Sequence, residues 1–270
     1  MALKILGNKA EVIEWDGRSV SVLADAITNF DAVVNLAGEN LAGGRWTAKR
    51  KQLIIDSRIG IGRVLVKAIE TASKKPKVLI QGSAIGIYGT CVESPADESF
   101  PAGNGFIAEL AHDWEESVRP AEKTLQRVVW LRTGPVLGEN SGMMKKLLMP
   151  FNFYAGTIVG PGNQLMSWIH ISDLVRAVRF LLEHENSSGP YNLTTLKPAS
   201  IRDFINTIGK ITGRPVWMKV PGWALKIIFG HMAEETILAS QNIYPARLLK
   251  EGFSFEYTEH EKALKNLLEK

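Results

Sequence analysis

A chain of 270 residues with 45% hydrophobic and 22% charged side chains is large enough to bury a full core, as one large domain or two coupled ones. Its formal charge of +4 comes without a run of about five or six like charges, and the densest basic cluster, Lys74-Lys75-Pro76-Lys77, reads as a solvated loop and not a nucleic-acid arm. One cysteine, Cys91, excludes an internal disulfide and a thiolate metal site; with no apolar run of roughly 18 residues and no signal-peptide core, the expectation is a cytoplasmic protein with no membrane or nucleic-acid partner.

Along the chain, strand and helix patterns alternate. Residues 2–6, followed by Gly7-Asn8, read as the last turn of a helix with a Gly/Asn C-cap. Residues 11–15 form a short apolar run that predicts a strand, and residues 19–28 a short helix with Ser19 as N-cap. A second strand is predicted at 32–36. Residues 47–73 predict a long helix, because Leu53, Ile54, Ile61, Val64, Leu65, Ala68 and Ile69 recur at threes and fours. Strands at 78–81 and 128–131 flank a helix at 105–123. Strands alternating with helices at this spacing predict a parallel, doubly wound α/β sheet.

After Gly138 the pattern loosens. Residues 139–165 are rich in Gly, Met and aromatics and are expected to cross the surface near a crevice. The stretch "SWIHISDLVRAVRFLLEH" predicts an extended piece and a helix capped at Ser172. From Gly189 onward, shorter elements punctuated by Pro190, Pro198, Pro215, Pro221 and Pro245 read as a smaller C-terminal region on the substrate side of the sheet.

The segment "DAVVNLAGEN", residues 31–40, carries the first functional signal. A buried parallel strand that runs into the small-residue turn Asn35-Leu36-Ala37-Gly38 is how a dinucleotide-binding sheet lines its crevice. Such a strand normally follows a Gly-rich strand-to-helix turn that holds the pyrophosphate. A βαβ unit takes roughly 30 residues or more. The strand at residues 10–16 is therefore expected to be the third of the sheet. The first strand, the Gly-rich turn and the second strand are expected to lie outside these 270 residues.

Several segments in order carry a family resemblance: "VVNLAGEN", "GRW" at Gly44 to Trp46, "DSR" at Asp56 to Arg58, and "GSAIGIYG" at Gly82 to Gly89. "DWE" at Asp113 to Glu115, "LRTGPVLG" at Leu131 to Gly138, "WIHISDLV" at Trp168 to Val175, and "YPARLLKEGF" at Tyr244 to Phe253 follow. The chain resembles the extended short-chain dehydrogenase/reductases, in the atypical branch called sugar-nucleotide epimerase-like, which carries a C-terminal domain of unknown function. The resemblance implies a Rossmann-type sheet over residues 1–185, incomplete at its start, that binds NADP or NAD. It also implies a C-terminal region, residues 186–270, that helps to hold a small-molecule substrate.

Carried over residue by residue, the resemblance implies that Asn35, Leu36, Ala37 and Gly38 pass under the adenosine and ribose. Arg58 would lay its fork on the cofactor phosphates; the plainer alternative is a surface salt bridge. Val136 would lie beside the nicotinamide, and Ser83 would offer a hydroxyl to the substrate. Active relatives also use a Tyr-x-x-x-Lys pair, whose ammonium lowers the phenol pKa. The best alignment puts Phe106 and Leu110 at those positions, and neither has a proton to give. Tyr88 and Glu39 are the replacement candidates, with a packing tyrosine and a loop carboxylate as the plainer readings. His112 reads as an exposed helix residue and His170 as a structural histidine, and most of the tryptophans as packing. No His/Asp/Glu grouping has metal-ligand spacing.

Three functions fit: an NAD(P)-dependent epimerase- or oxidoreductase-like enzyme, a non-catalytic dinucleotide binder or sensor, and a truncated form that binds no cofactor. With the Gly-rich turn outside the sequence, weak NAD(P)H binding is the expectation. Substrate and oligomeric state are open at this point.

Overall fold

A computed structural model describes residues 9–139 and 141–269. The expected helical turn at residues 2–6 and its Gly7-Asn8 cap lie outside the described residues. Four strands form the central sheet: β1 (Ala32–Asn35), β2 (Val78–Ala84), β4 (Arg127–Thr133) and β9 (Gly189–Leu193). They run in the order β1-β2-β4-β9, every pair parallel. Parallel strands need crossovers and are covered on both faces, so they read as unbroken apolar runs. Six of the seven residues of β2 are buried accordingly. β3 (Cys91–Ala96) stands apart and pairs with β12 (Ser240–Ile243) of the C-terminal region.

One face of the sheet is covered by α1 (Val20–Ile27) and α3 (Ile61–Thr71). Ala24 and Ile27 of α1 join Leu65, Val66, Ala68 and Ile69 of α3 against Leu79, Val128 and Trp130. The other face meets α6 (Ile171–Glu183), whose Ala177 and Leu181 pack on Val78, Ile80, Val129, Leu131 and Tyr191. This is the predicted doubly wound arrangement. A further core joins Leu137, Met144, Phe151 and Trp168 to Phe204, Ile208, Leu264 and Leu267.

Three local expectations are corrected. Residues 11–16 form no strand; Val12 and Ile13 are exposed, so the apolar alternation there finds no ladder partner. Ser19 precedes α1, but its hydroxyl does not cap it. Instead Asp16 accepts from the Arg18 and Ser19 amides. The helix expected to be capped at Ser172 begins at Ile171 with His170 as its N-cap, Nδ1 accepting from the Ser172 amide at 3.2 Å. The loose stretch after Gly138 also holds regular structure, notably α5 (Gly142–Leu148) and β6 (Gly156–Val159). Among the tryptophans, Trp114, Trp130 and Trp168 are buried, whereas Trp217 and Trp223 are exposed.

His170 explains how the end of the chain is tied down. Its ring is buried and stacks on Tyr257, with centroids 3.8 Å apart. One turn on, the fully buried Asp173 accepts from the Glu256 and Tyr257 amides at 2.9 and 2.8 Å. Burial lowers the His170 pKa below its ordinary 6.5. A histidine whose folded pKa is depressed contributes stability above its unfolded pKa, and that contribution is lost as pH falls through the folded value. Urea unfolding is therefore expected to show stability falling between about pH 7 and pH 5, and His170→Asn to flatten that slope. An equal slope in the variant would assign the pH dependence to other groups.

Candidate functional site

The expected dinucleotide crevice corresponds to the carboxyl ends of β1 and β2. Asn35 closes β1 with a buried side chain: Nδ2 donates to Gln81 Oε1 at 2.9 Å, and Oδ1 accepts from the Ala37 amide at 3.2 Å. That second bond folds residues 35–37 into an Asx turn and leaves Leu36 64% exposed. Beside it β2 comes so close that a Cβ on Gly82 would stand 3.1 Å from the Asn35 carbonyl and from Trp114.

The long helix predicted at 47–73 is real but interrupted. α2 (Ala48–Ile55), capped by the Thr47 hydroxyl, passes through a π-helical turn at Asp56–Gly60 into α3. Such insertions are frequent at functional sites, and this one carries Arg58. The Arg58 guanidinium is buried, donates from Nη1 to the Glu39 carbonyl at 3.0 Å, and lies 4.9 Å over the Trp114 ring. It faces Gly38 closely enough that a Cβ there would meet Cζ at 2.9 Å. Burial lowers its pKa, and the nearby Glu39 charge opposes that shift. Among the described residues no carboxylate pairs with it, because Glu39 is taken by Arg50 at 2.8 Å. A desolvated cation without a direct ion-pair partner is costly; against an exposed glycine turn, it suits an incoming anion.

At the far end of β2 a buried network gathers the hydroxyls. Ser83 Oγ donates to Glu115 Oε1 at 2.7 Å. Glu115, on α4 (Phe106–Val118), also takes a bidentate bond from Arg132: Nε to Oε1 at 2.8 Å and Nη2 to Oε2 at 2.9 Å. Arg132 Nη1 donates to Tyr88 Oη at 2.9 Å, and Tyr88 donates to Asn192 Oδ1 at 2.7 Å. Asn192 continues the chain, with Nδ2 to the Tyr244 carbonyl and its amide to Glu98 Oε1. Burial pulls the Arg132 pKa down, but the bonds and charge of Glu115 more than reverse this and it ends raised. Burial raises the Tyr88 pKa, with Arg132 opposing, so the phenol stays protonated near neutrality. Burial likewise raises Glu98.

Two adjacent stripes of α4 meet the neighbouring elements, and neither carries a Tyr or a Lys. A Cβ on Gly86, three residues past Ser83, would collide with Ile107. Ala111 packs with Ile85, Ile87 and Tyr88, and Glu115 reaches Ser83. Ile107, Ala111 and Glu115 thus make the stripe that meets the end of β2, at the four-residue spacing of one helix face. Phe106, Leu110 and Trp114 make the adjacent stripe, on the Arg58 side: Phe106 edge-on to Trp46 at 5.0 Å, Leu110 against Ile54 and Ile59, and Trp114 beneath the Arg58 guanidinium. Ile107 and Ala111, like Phe106 and Leu110, hold no transferable proton.

Of the residues singled out from sequence, Ser83 and Tyr88 belong to one network. Asn35, Leu36, Ala37, Gly38 and Arg58 form one turn-and-cation group. Val136 sits on β5 (Val136–Leu137), opposite Ile169. Glu39 is instead an ion-paired loop carboxylate, and His112 is exposed beside Asp113. The sequence reading missed Glu115, Arg132, Asn192 and Glu98. Glu115 and Arg132 stand inside "DWE" and "LRTG", segments that were noticed without a role.

The profile of the NAD dependent epimerase/dehydratase family matches residues 3–194. The chain belongs to that family. Residues 220–267 match a domain of unknown function, DUF1731. An epimerase family protein of Mycobacterium leprae, ML0860, is 39% identical over 248 residues, covering 92% of this chain and 80% of the relative. YfhF of Bacillus subtilis is 37% identical over 243 residues, 90% of this chain and 79% of its own length. Among solved structures, human epimerase family protein SDR39U1 (isoform 2) with NADPH superposes with a TM-score of 0.83 at 30% identity, over 91% of this chain and 86% of that one. The UDP-glucose 4-epimerase of Thermotoga maritima, at 16% identity, TM-score 0.80 and coverage of 98% and 85%, shares the fold.

The Glu115–Arg132 pair is 6% and 11% exposed at its side chains. Removing one partner of such a buried pair costs about 3–5 kcal/mol, because the other charge is stranded. Arg132→Met and Glu115→Leu are each expected to lose about that much in urea unfolding, and the double variant less than the sum. Additive losses would show the two charges to be uncoupled.

Proposed function

We propose that this protein binds NADP(H) or NAD(H) in the crevice and does not cycle it through a phenol–ammonium proton transfer. The observation that carries the reading is the stripe of α4. At the expected Tyr and Lys positions stand Phe106 and Leu110, on the same helix face as Trp114 beneath Arg58, and the nearby hydroxyls of Ser83 and Tyr88 are committed to Glu115 and Asn192. The likeness to human SDR39U1 with NADPH supports the ligand class. The residues present fit the ligand: Asn35 to Gly38 offer an exposed backbone to an adenosine, and the unpaired Arg58 guanidinium awaits phosphate oxygens. Val136 lies at the nicotinamide end. A bound dinucleotide would supply hydride chemistry; the residues of this chain orient it and keep protons away from it.

An enzyme acting on a small polar molecule is the competing reading, kept in view by Ser83 at the end of its strand. Titration with NADPH and ADP-ribose separates the possibilities. Arg58→Ala is expected to weaken both by about 1.5–3 kcal/mol, as for a charge-assisted hydrogen bond, and NADPH oxidation across a carbonyl panel is expected to stay at background. An unchanged dissociation constant would remove Arg58 from the site. Turnover that Ser83→Ala abolishes would establish the enzyme.

A further inference from the structure

The "GRW" segment has no part in the dinucleotide crevice as described, yet its loop is firmly built. The Asn40 side chain accepts from the Ala42 amide at 2.9 Å, Trp46 Nε1 donates to the Leu41 carbonyl at 2.9 Å, and Lys146 Nζ donates to the Ala42 carbonyl at 2.9 Å. Arg50 Nη2 donates to the Asn40 carbonyl. This frame presents Arg45, which is exposed and whose guanidinium makes no hydrogen bond or ion pair among the described residues. The Arg45 guanidinium lies beside Gly230, where a Cβ would be 3.6 Å from Nη2, so it stands between the nucleotide side and the C-terminal region.

Next to Arg45, Trp46 and Phe106 form the edge-on pair, and Lys51 Nζ lies 4.4 Å over the Phe106 ring. No carboxylate pairs with Lys51 among the described residues. Of the acids of this neighbourhood, Glu39 holds Arg50 and Glu234 holds Lys226 at 2.6 Å, while the Glu235 carboxylate is turned to the start of α4, accepting from the Ile107 amide at 2.7 Å. Two cations without a direct ion pair among the described residues therefore flank a half-buried aromatic pair. The position is the crevice mouth, because Phe106 begins α4 and the next residue packs on Gly86, close beyond Ser83.

We infer that Arg45 and Lys51 form an anion subsite that holds the phosphate or carboxylate end of a second ligand, one with a planar or apolar body lying on Trp46 and Phe106. Guanidinium and ammonium groups of this kind bind such anions by charge-assisted hydrogen bonds, and the rings favour an apolar body over a heavily hydroxylated one. The subsite rests on the crevice reading for its role as a substrate end, while its occupancy is measured without dinucleotide.

Calorimetric titration of the full chain at low salt, with phenyl phosphate, benzoate and phenol as probes, tests the subsite. The charged probes are expected to bind and phenol not, the tighter of the two naming phosphate or carboxylate. Arg45→Ala and Lys51→Ala should each weaken binding about ten-fold. Lys49→Ala, an exposed cation on the same helix, should bind as wild type, and Arg45→Ala should leave NADPH affinity unchanged. The inference is overturned if neither charged probe binds, if phenol binds equally, or if Lys49→Ala is as damaging. It is also overturned if Arg45→Ala weakens NADPH and spares phenyl phosphate, since the loop would then belong to the dinucleotide site.

Discussion

The ion pair between Glu115 and Arg132 stands where helix, sheet and C-terminal region meet. Desolvating two charges costs several kcal/mol each, and the pair recovers this only through good geometry and extra hydrogen bonds. Here Glu115 gains the Ser83 hydroxyl, and Arg132 gains Tyr88 and the Glu98 carbonyl. Each of those partners is anchored in a different element. Satisfying the pair therefore fixes the end of β2, the turn after it, the strand β4 and, through Asn192, the strand β9 and the segment at Tyr244. In a low-dielectric interior such a network is rigid when complete and expensive when broken.

That constraint shapes the chemistry. A hydroxyl that donates to a buried carboxylate, as Ser83 does, and a phenol that donates to Asn192 beneath a guanidinium, as Tyr88 does, have their protons spoken for. The face of α4 that could have supplied another proton is apolar at Phe106 and Leu110. By contrast, the end of β1 presents an exposed small-residue turn and a buried guanidinium without a direct ion-pair partner. On the proposed reading, the site holds a charged molecule and does not move protons on it.

How far the sequence could be read differs from place to place. Burial on both faces makes β1, β2 and β4 continuous apolar runs, and the period of residues 47–73 announced its helix, so the parallel α/β architecture was legible. The π-turn at Asp56–Gly60 was not, since one extra residue per turn leaves no mark on the apolar period; yet it aims Arg58 at Gly38. The expected strand at 11–15 failed because alternation is a local signal and a strand needs a neighbour. Glu115 and Arg132 lie 17 residues apart in sequence, and nothing in their surroundings says that they meet.

The C-terminal segment "YPARLLKEGF" acquires its meaning from the same network. The Tyr244 carbonyl accepts from Asn192, the Arg247 amide donates to Glu98, and the Arg247 guanidinium donates to the Pro190 and Ser188 carbonyls. If the buried pair and its partners form one cooperative unit, β4, β9 and residues 244–253 should open together. Native-state amide hydrogen exchange measures this directly. The account predicts the same opening free energy for the amides of Leu131, Asn192 and Phe253. Exchange of residues 244–253 at a much lower free energy than β4 would contradict it.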